Sequence, residues 1–136
     1  MKQENNDLLL KYLCMALPYK VVIDYSYNAF EMRKGNYASC IKQGSKSLLD
    51  CDLLDIFISP RRNEEGEYIK PYLRPMSSMT EKRRKEYDIL CSYNNNEQNA
   101  FILLKWLLEK HFDFMGLIPK GLAIEVTEEN NPYKEE

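Results

Sequence analysis

Apolar residues near the start of the chain recur at the spacing of one helical face. From Leu9 to Leu17 they fall three or four positions apart, and the polar residues Asn5 to Asp7 offer caps ahead of them. Pro18 then removes an amide donor and ends the pattern. We therefore predict an N-terminal helix that ends at this proline.

A strict alternation follows and predicts a strand with one buried face. Residues Lys20 to Tyr27 place apolar or aromatic side chains at every second position. Arg33 to Asn36 contain a Gly-Asn pair, which tolerates the positive φ of a tight turn. We expect a hairpin whose second strand runs from about Tyr37 to Lys42.

Two later segments also suggest extended chain. Leu48 to Ile58 is rich in leucine and isoleucine and fits neither period cleanly; we predict a strand and leave a short helix open. Tyr68 to Pro75 is predicted to be extended. Because Pro71 and Pro75 cannot donate to a ladder, we expect this segment at a sheet edge.

Two consecutive helices follow. Ser78 or Thr80 is a cap for a helix that runs to Ser92, and Tyr93 to Asn96 breaks it. The next helix, Glu97 to His111, is apolar around most of its circumference and should be the most buried helix. A turn at Pro119-Lys120-Gly121 and a last strand from Leu122 to Val126 complete the pattern.

Together these elements predict an α+β fold, with a small, mainly antiparallel sheet packed against about three helices. We expect a single globular domain over residues 1–127 and a flexible acidic tail over residues 128–136. The pattern leaves strand order open.

Composition narrows the classes of function. The 136 residues carry 19 basic and 21 acidic side chains, so no global attraction draws the chain to nucleic acid or acidic membranes. The apolar run Tyr12 to Leu17 is too short for a signal peptide, and no apolar stretch approaches the about eighteen residues of a membrane span. We expect a cytoplasmic protein that does not contact membranes.

Metal and cofactor signatures are absent from the sequence. Cys14, Cys40, Cys51 and Cys91 are scattered, without the close pairs of structural zinc sites. We interpret them as reduced, mostly buried thiols, and predict no metal and no cofactor.

His111 is the only histidine, which makes it the first residue to consider for catalysis. At the end of a predicted helix its imidazole can bond the last carbonyls, and we prefer this capping role. With Asp113 it could instead form a base and its orienting carboxylate, but no nucleophile lies next to the pair in sequence. We predict no catalytic residue and lean against an enzyme, leaving a small hydrolase open.

One basic run offers a nucleic-acid surface. Its helical spacing also pairs Glu81 with Lys85 and Arg84 with Asp88, so we prefer a self-compensated, solvated helix face. The alternative is a local patch that contacts phosphates. The residues of that alternative are Arg61, Arg62, Lys82, Arg83, Arg84 and Lys85.

Two blocks carry a family resemblance: KPYLRPMSSMT from Lys70 to Thr80, and HFDFMGLIPKGLAIE from His111 to Glu125. They resemble a family of small uncharacterised proteins from Bacteroidales bacteria and their phages or mobile elements. Together they cover about a fifth of the chain. The resemblance implies an origin in a bacterial host cell and no particular activity.

A functional hypothesis follows from the resemblance, the missing catalytic signature and the many tyrosines, which suit protein interfaces. We expect a non-enzymatic phage or mobile-element accessory protein that binds another protein. The alternative is a nucleic-acid-associated protein using the basic patch. The candidate partner contacts in the first block are Tyr72, Arg74, Ser77 and Ser78.

Overall fold

The computed structural model describes residues 3–33, 35–58, 68–92 and 97–133, and in this part of the chain the fold is α+β, as predicted. It has four α-helices and a four-stranded sheet, with short 3₁₀ turns at Leu17–Tyr19 and Met76–Ser78. In chain order the elements are α1 (Gln3–Ala16), β1 (Val22–Arg33), β2 (Asn36–Leu48), α2 (Cys51–Ile58), β3 (Tyr68–Leu73), α3 (Glu81–Ser92), α4 (Glu97–Glu109) and β4 (Ile124–Glu125).

The strands are arranged in the order β2-β1-β3-β4, and only the short β3–β4 pair is parallel. β1 and β2 form the predicted hairpin, with Arg33 opposite Asn36 and Gly35 at a φ of 81°. Both strands extend further than the alternation indicated. β3 pairs only with residues 23–26 of β1, so the far part of the hairpin projects as a two-stranded ribbon.

The strand predicted for Leu48 to Ile58 is wrong, because residues from Cys51 onward form helix α2. Asp50 begins this helix: its Oδ1 accepts the amide of Leu53 at 2.8 Å, and its carbonyl accepts the amide of Leu54 at 3.0 Å. An N-cap aspartate is the local signal that decides for a helix.

The edge position predicted for Tyr68–Pro75 is also corrected. β3 lies between β1 and β4, and β4 pairs with Tyr72 and Leu73 alone. Pro71, opposite Ile23 of β1, is therefore in the part of β3 that β4 does not reach. Pro71 has no amide to donate to a neighbouring strand. An interior strand can contain it because β4 is too short to lie beside it.

The core lies between α1 and the sheet. α1 buries Leu9, Tyr12, Leu13 and Ala16 against residues of β1, β3, α2 and the segment after α4. The remaining buried members of this cluster are Val21, Ile23, Leu49, Leu54, Ile69, Leu73, Leu108, Leu117, Leu122 and Ala123.

Helix α4 was predicted to be the most buried helix, and this is wrong. Only Leu107 and Leu108, in its last turn, are buried, whereas Phe101 is 61% and Ile102 is 43% exposed. Helix α1 packs beside the sheet, so α4 contacts the core through its C-terminal half. Helix α3 packs against α4 through the contact of Tyr87 with Trp106. α3 has no buried residue. The predicted break at Tyr93–Asn96 lies outside the described residues.

The end of α4 closes in a Schellman arrangement. The amide of Phe112 donates to the carbonyl of Leu107 at 3.1 Å, and that of His111 donates to Leu108 at 3.2 Å. His111 adopts a φ of 60°, where glycine is usual, so its side chain is retained at some cost in backbone energy. The predicted turn at Pro119-Lys120-Gly121 follows, with the amide of Gly121 bonded to Ile118.

Asp113 stabilises the chain after α4. Its buried carboxylate accepts the amides of Leu117 at 2.7 Å and Ile118 at 2.9 Å. We expect Asp113→Ala to lower the free energy of unfolding by about 1–3 kcal/mol, because both amides lose a charged acceptor. Urea unfolding followed by circular dichroism measures this, with Asp113→Asn as the milder variant. An unchanged midpoint for Asp113→Ala would contradict the assignment.

For Tyr12, in contrast to Asp113, we expect that removing the polar group does not destabilise the protein. Its ring is fully buried, and its hydroxyl has no hydrogen-bond partner among the described residues. Because burying an unbonded hydroxyl is costly, Tyr12→Phe should leave the free energy of unfolding unchanged or raise it by up to about 1 kcal/mol. The same urea titration applies, and a clear destabilisation would show that the hydroxyl has a stabilising partner.

Candidate functional site

A cleft of about 430 Å³ opens where the end of β3, the start of α3, the end of α4 and the C-terminal segment meet. Its volume is within the range of ligand-binding pockets. The residues that line it are Arg74, Ser78, Thr80, Lys82, Arg83, Glu86, Lys110, Phe112 and Asn131.

Arg74 forms one wall of the cleft and is held from both its backbone and its side chain. Its amide donates to the carbonyl of His111, and its carbonyl accepts the amide of Asp113, each at 2.8 Å. Its Nη1 donates to the carbonyl of Lys110 at 3.0 Å and its Nη2 to that of Tyr133 at 3.3 Å. The guanidinium therefore has a fixed position before any ligand arrives.

The ring of Tyr133 lies against the Arg74 guanidinium, and its hydroxyl is bonded to the backbone of β1 and β3. Its hydroxyl donates to the carbonyl of Tyr72 at 2.8 Å and accepts the amide of Val22 at 2.9 Å. Its ring stacks on His111 with centroids 3.9 Å apart, and the Arg74 guanidinium lies 5.4 Å from the ring centroid. The segment expected to be a flexible tail from residue 128 is thus anchored to the domain at Tyr133.

The opposite wall is the first turn of α3. Of the two predicted caps, Thr80 is the one used: its Oγ1 accepts the amide of Arg83 at 3.2 Å. This start directs Lys82 and Arg83 to the cleft. Arg84 lies instead over the ring of Tyr87, and Lys85 pairs with Glu81 at 3.7 Å, so the basic run divides between two faces.

Glu86, the one acidic residue among the described lining of the cleft, is hydrogen-bonded to a residue of an aromatic stack. Glu86 accepts a hydrogen bond from the indole Nε1 of Trp106 at 3.0 Å. Trp106 stacks on Phe112, with ring centroids 5.7 Å apart, and contacts Tyr87 on its other side. These contacts dock α3 on α4 and thereby set the distance between the two cationic walls.

The electrostatic character of the cleft follows from its lining. Among the described residues, four cationic side chains and one carboxylate line it, although the chain as a whole carries a net charge of −2. Such a local concentration of positive charge attracts anions. The arrangement is suited to binding an anionic group.

Of the four predicted partner contacts, two line the cleft. Arg74 and Ser78 do so, and the Ser78 hydroxyl donates to the carbonyl of Pro75 at 2.7 Å. Ser77 is exposed outside it. Tyr72 was expected to be exposed but is only 5% exposed, because β3 is an interior strand. Its hydroxyl lies 3.3 Å from that of Ser45.

Of the alternative basic set, only Lys82 and Arg83 reach the cleft. Arg61 and Arg62 lie outside the described residues. Two residues from each predicted contact set therefore line the same cleft.

His111 and Asp113 have separate structural roles. The Nε2 of His111 donates to the carbonyl of Tyr19 at 2.8 Å, so the imidazole joins α4 to the end of α1 instead of capping its own helix. Both carboxylate oxygens of Asp113 accept backbone amides.

The prediction that the cysteines are mostly buried is wrong for Cys14, Cys51 and Cys91, which are exposed; these three are free thiols, as predicted. Within residues 3–33, 35–58, 68–92 and 97–133, no three histidine, cysteine or acidic side chains gather as metal ligands.

Sequence reasoning missed Glu86, Lys110, Phe112 and Asn131 in the lining, and Tyr133 beneath it. The first four carry no distinguishing local pattern. Tyr133 does have one, because it is the one aromatic residue in an otherwise polar, acidic stretch. A lone aromatic in such a stretch indicates an anchor more than a free tail.

No protein-family model, curated protein or solved structure matches this chain. No helix in the described part of the chain is long and apolar enough to cross a membrane.

The anchoring of Tyr133 predicts a response to alkaline pH. Burial raises the pKa of the Tyr133 hydroxyl well above its ordinary value, against the opposing effects of the Val22 amide and Arg74, and burial does the same for Tyr12. In the unfolded chain both hydroxyls ionise at their ordinary pKa of about 10, so the free energy of unfolding is unaffected below that pH and falls as pH rises further. The free energy of unfolding should fall by up to about 1.4 kcal/mol per pH unit for each tyrosine.

Tyr133→Phe tests the assignment. At neutral pH it should lower the free energy of unfolding by about 1–3 kcal/mol through loss of both hydroxyl bonds. Above pH 10 it should reduce the steepness of the decline by the contribution of one proton. Urea titrations at several pH values measure both effects, and an unaltered alkaline slope would refute the anchor's contribution.

Proposed function

We propose that this protein is a non-enzymatic phage or mobile-element accessory protein that acts in the bacterial cytoplasm by binding an acidic segment of a partner protein. The convergence of Arg74, Lys82, Arg83 and Lys110 on one cleft is the observation that carries this proposal. These side chains come from three separate parts of the chain, so only the folded protein offers them together.

The degree of preorganisation supports a binding role. Arg74 is fixed by two carbonyls and an aromatic ring, and α3 is docked by the Trp106–Glu86 bond. Because the Arg74 side chain is already placed, it loses little conformational entropy when an anion binds. The cleft has a volume of about 430 Å³, which leaves room for a side chain of a partner.

The family resemblance of the two sequence blocks supports the origin in this proposal. The first block contributes Arg74, Ser78 and Thr80 to the cleft, and the second contributes Phe112. A cleft built from both blocks is the arrangement expected if they form one functional surface.

Nucleic-acid binding is the second candidate, and the exposure of Lys82, Arg84 and Lys85 on α3 favours it. Contact with a nucleic-acid backbone needs cations spread along its track, because its charges are spaced regularly. Here the run divides, with Lys85 paired to Glu81 and Arg84 over Tyr87. The compact cleft fits a single anionic group better than a strand.

The test is affinity capture from a Bacteroidales lysate with matched variants. Lys82→Ala removes a cation from the cleft, and Lys85→Ala removes one from the same helix outside it, so the two proteins have equal net charge. We expect a protein partner that survives nuclease treatment, weakens at least about fivefold with Lys82→Ala, and is unaffected by Lys85→Ala.

Two other results would contradict the proposal. Co-purifying nucleic acid that is lost with salt and reduced equally by both variants would support the nucleic-acid candidate. A partner that binds both variants like the wild type would refute the cleft as the contact surface.

A further inference from the structure

We propose that the anion selected by the cleft is a phosphomonoester dianion, carried as a phosphorylated side chain on the acidic segment of the partner. This inference rests on the proposed function and names the ligand chemistry of the same cleft. It is distinct from general attraction to acidic residues, because it requires the site to distinguish a dianionic tetrahedral group from a carboxylate.

The charge of the lining is the first argument. One arginine alone can bind a carboxylate through a bidentate pair. This cleft gathers two arginines and two lysines around a volume of about 430 Å³, with Glu86 as the one carboxylate among its described lining residues. A phosphomonoester carries nearly two negative charges at neutral pH and three strong acceptor oxygens, which matches such a set.

The origin of the cations in separate elements is the second argument. Arg74 follows β3, Lys110 follows α4, and Lys82 and Arg83 are in the first turn of α3. A planar carboxylate presents two oxygens in one plane, whereas a phosphoryl group presents three that point apart. Cations supplied by three separate elements suit a group with three acceptor oxygens better than a planar one.

Neutral donors extend this environment. Thr80 brings a hydroxyl to the same wall, and Asn131 brings an amide from the C-terminal segment. The Thr80 Oγ1 already accepts the Arg83 amide, which leaves its hydroxyl proton available for a ligand. Clusters of arginine with hydroxyl donors are a recurrent means of recognising phosphorylated residues.

Trp106 provides the means to measure binding. It is the only tryptophan in the chain, and it contacts Glu86 and Phe112, both of which line the cleft. An anion that enters should change the field at the indole and thus its fluorescence. The emission of the full chain therefore reports occupancy without a label.

The experiment titrates the protein, at constant ionic strength, with three acidic peptides that differ at one position. That position holds phosphoserine, glutamate or serine. Inorganic phosphate, adenosine monophosphate and a short oligonucleotide without terminal phosphates are titrated in parallel. Each titration is repeated with Lys82→Ala and Lys110→Ala, and with Lys85→Ala as the matched control outside the cleft.

We expect the phosphoserine peptide to bind at least about tenfold more tightly than the glutamate peptide, as one additional charge-assisted hydrogen bond would provide. Lys82→Ala and Lys110→Ala should each reduce that affinity by about tenfold or more. Lys85→Ala should leave it unchanged.

Equal affinity for the glutamate and phosphoserine peptides would overturn the inference and leave the acidic-segment function in place. Tighter binding of adenosine monophosphate or inorganic phosphate than of the phosphopeptide would overturn the peptide as the source of the phosphate. Tighter binding of the oligonucleotide, or no fluorescence response to any peptide together with no captured partner, would overturn both the inference and the proposed function.

Discussion

The junction at Arg74 is the constraint on which the rest of this structure depends. Its backbone bonds to His111 and Asp113 where β3 ends, and so joins the sheet to the chain that leaves α4. Its guanidinium then binds the carbonyls of Lys110 and Tyr133 and lies over the Tyr133 ring. Because one residue connects the strand, the helix end and the C-terminal segment, their relative positions are set together, and the cleft forms where they meet.

The second wall of the cleft depends on a weaker attachment. α3 buries no residue and is held to α4 mainly by the contacts of Trp106 with Glu86 and Tyr87. Elements with few buried contacts open at lower free energy than the core does. The site thus combines a wall built into the domain with one that can adjust, which is common in binding proteins because the ligand itself then contributes to docking the looser element.

Local signals along the chain were sufficient for several elements. The hairpin turn at Gly35, the N-cap at Thr80 and the turn ending at Gly121 each depend on residues a few positions apart. The α+β class followed from these signals and from the periodicity of the helices. The signal that favours helix α2 is also local, since Asp50 caps it, but the apolar run that follows fits neither period and predicted a strand.

The sequence by itself determined the α+β class, the turns at Gly35 and Gly121, and the start of α3 at Thr80. Only the tertiary structure decided that β3 is an interior strand, that α4 is largely exposed, and that Arg74, Lys82 and Lys110 face one volume. The reason is the distance along the chain over which these contacts act. The Tyr133 hydroxyl bonds to Val22, 111 positions away, and no local preference of either residue encodes that meeting. It arises because the fold brings the C-terminal segment against β1 and β3, where the Tyr133 hydroxyl meets the amide of Val22 and the carbonyl of Tyr72.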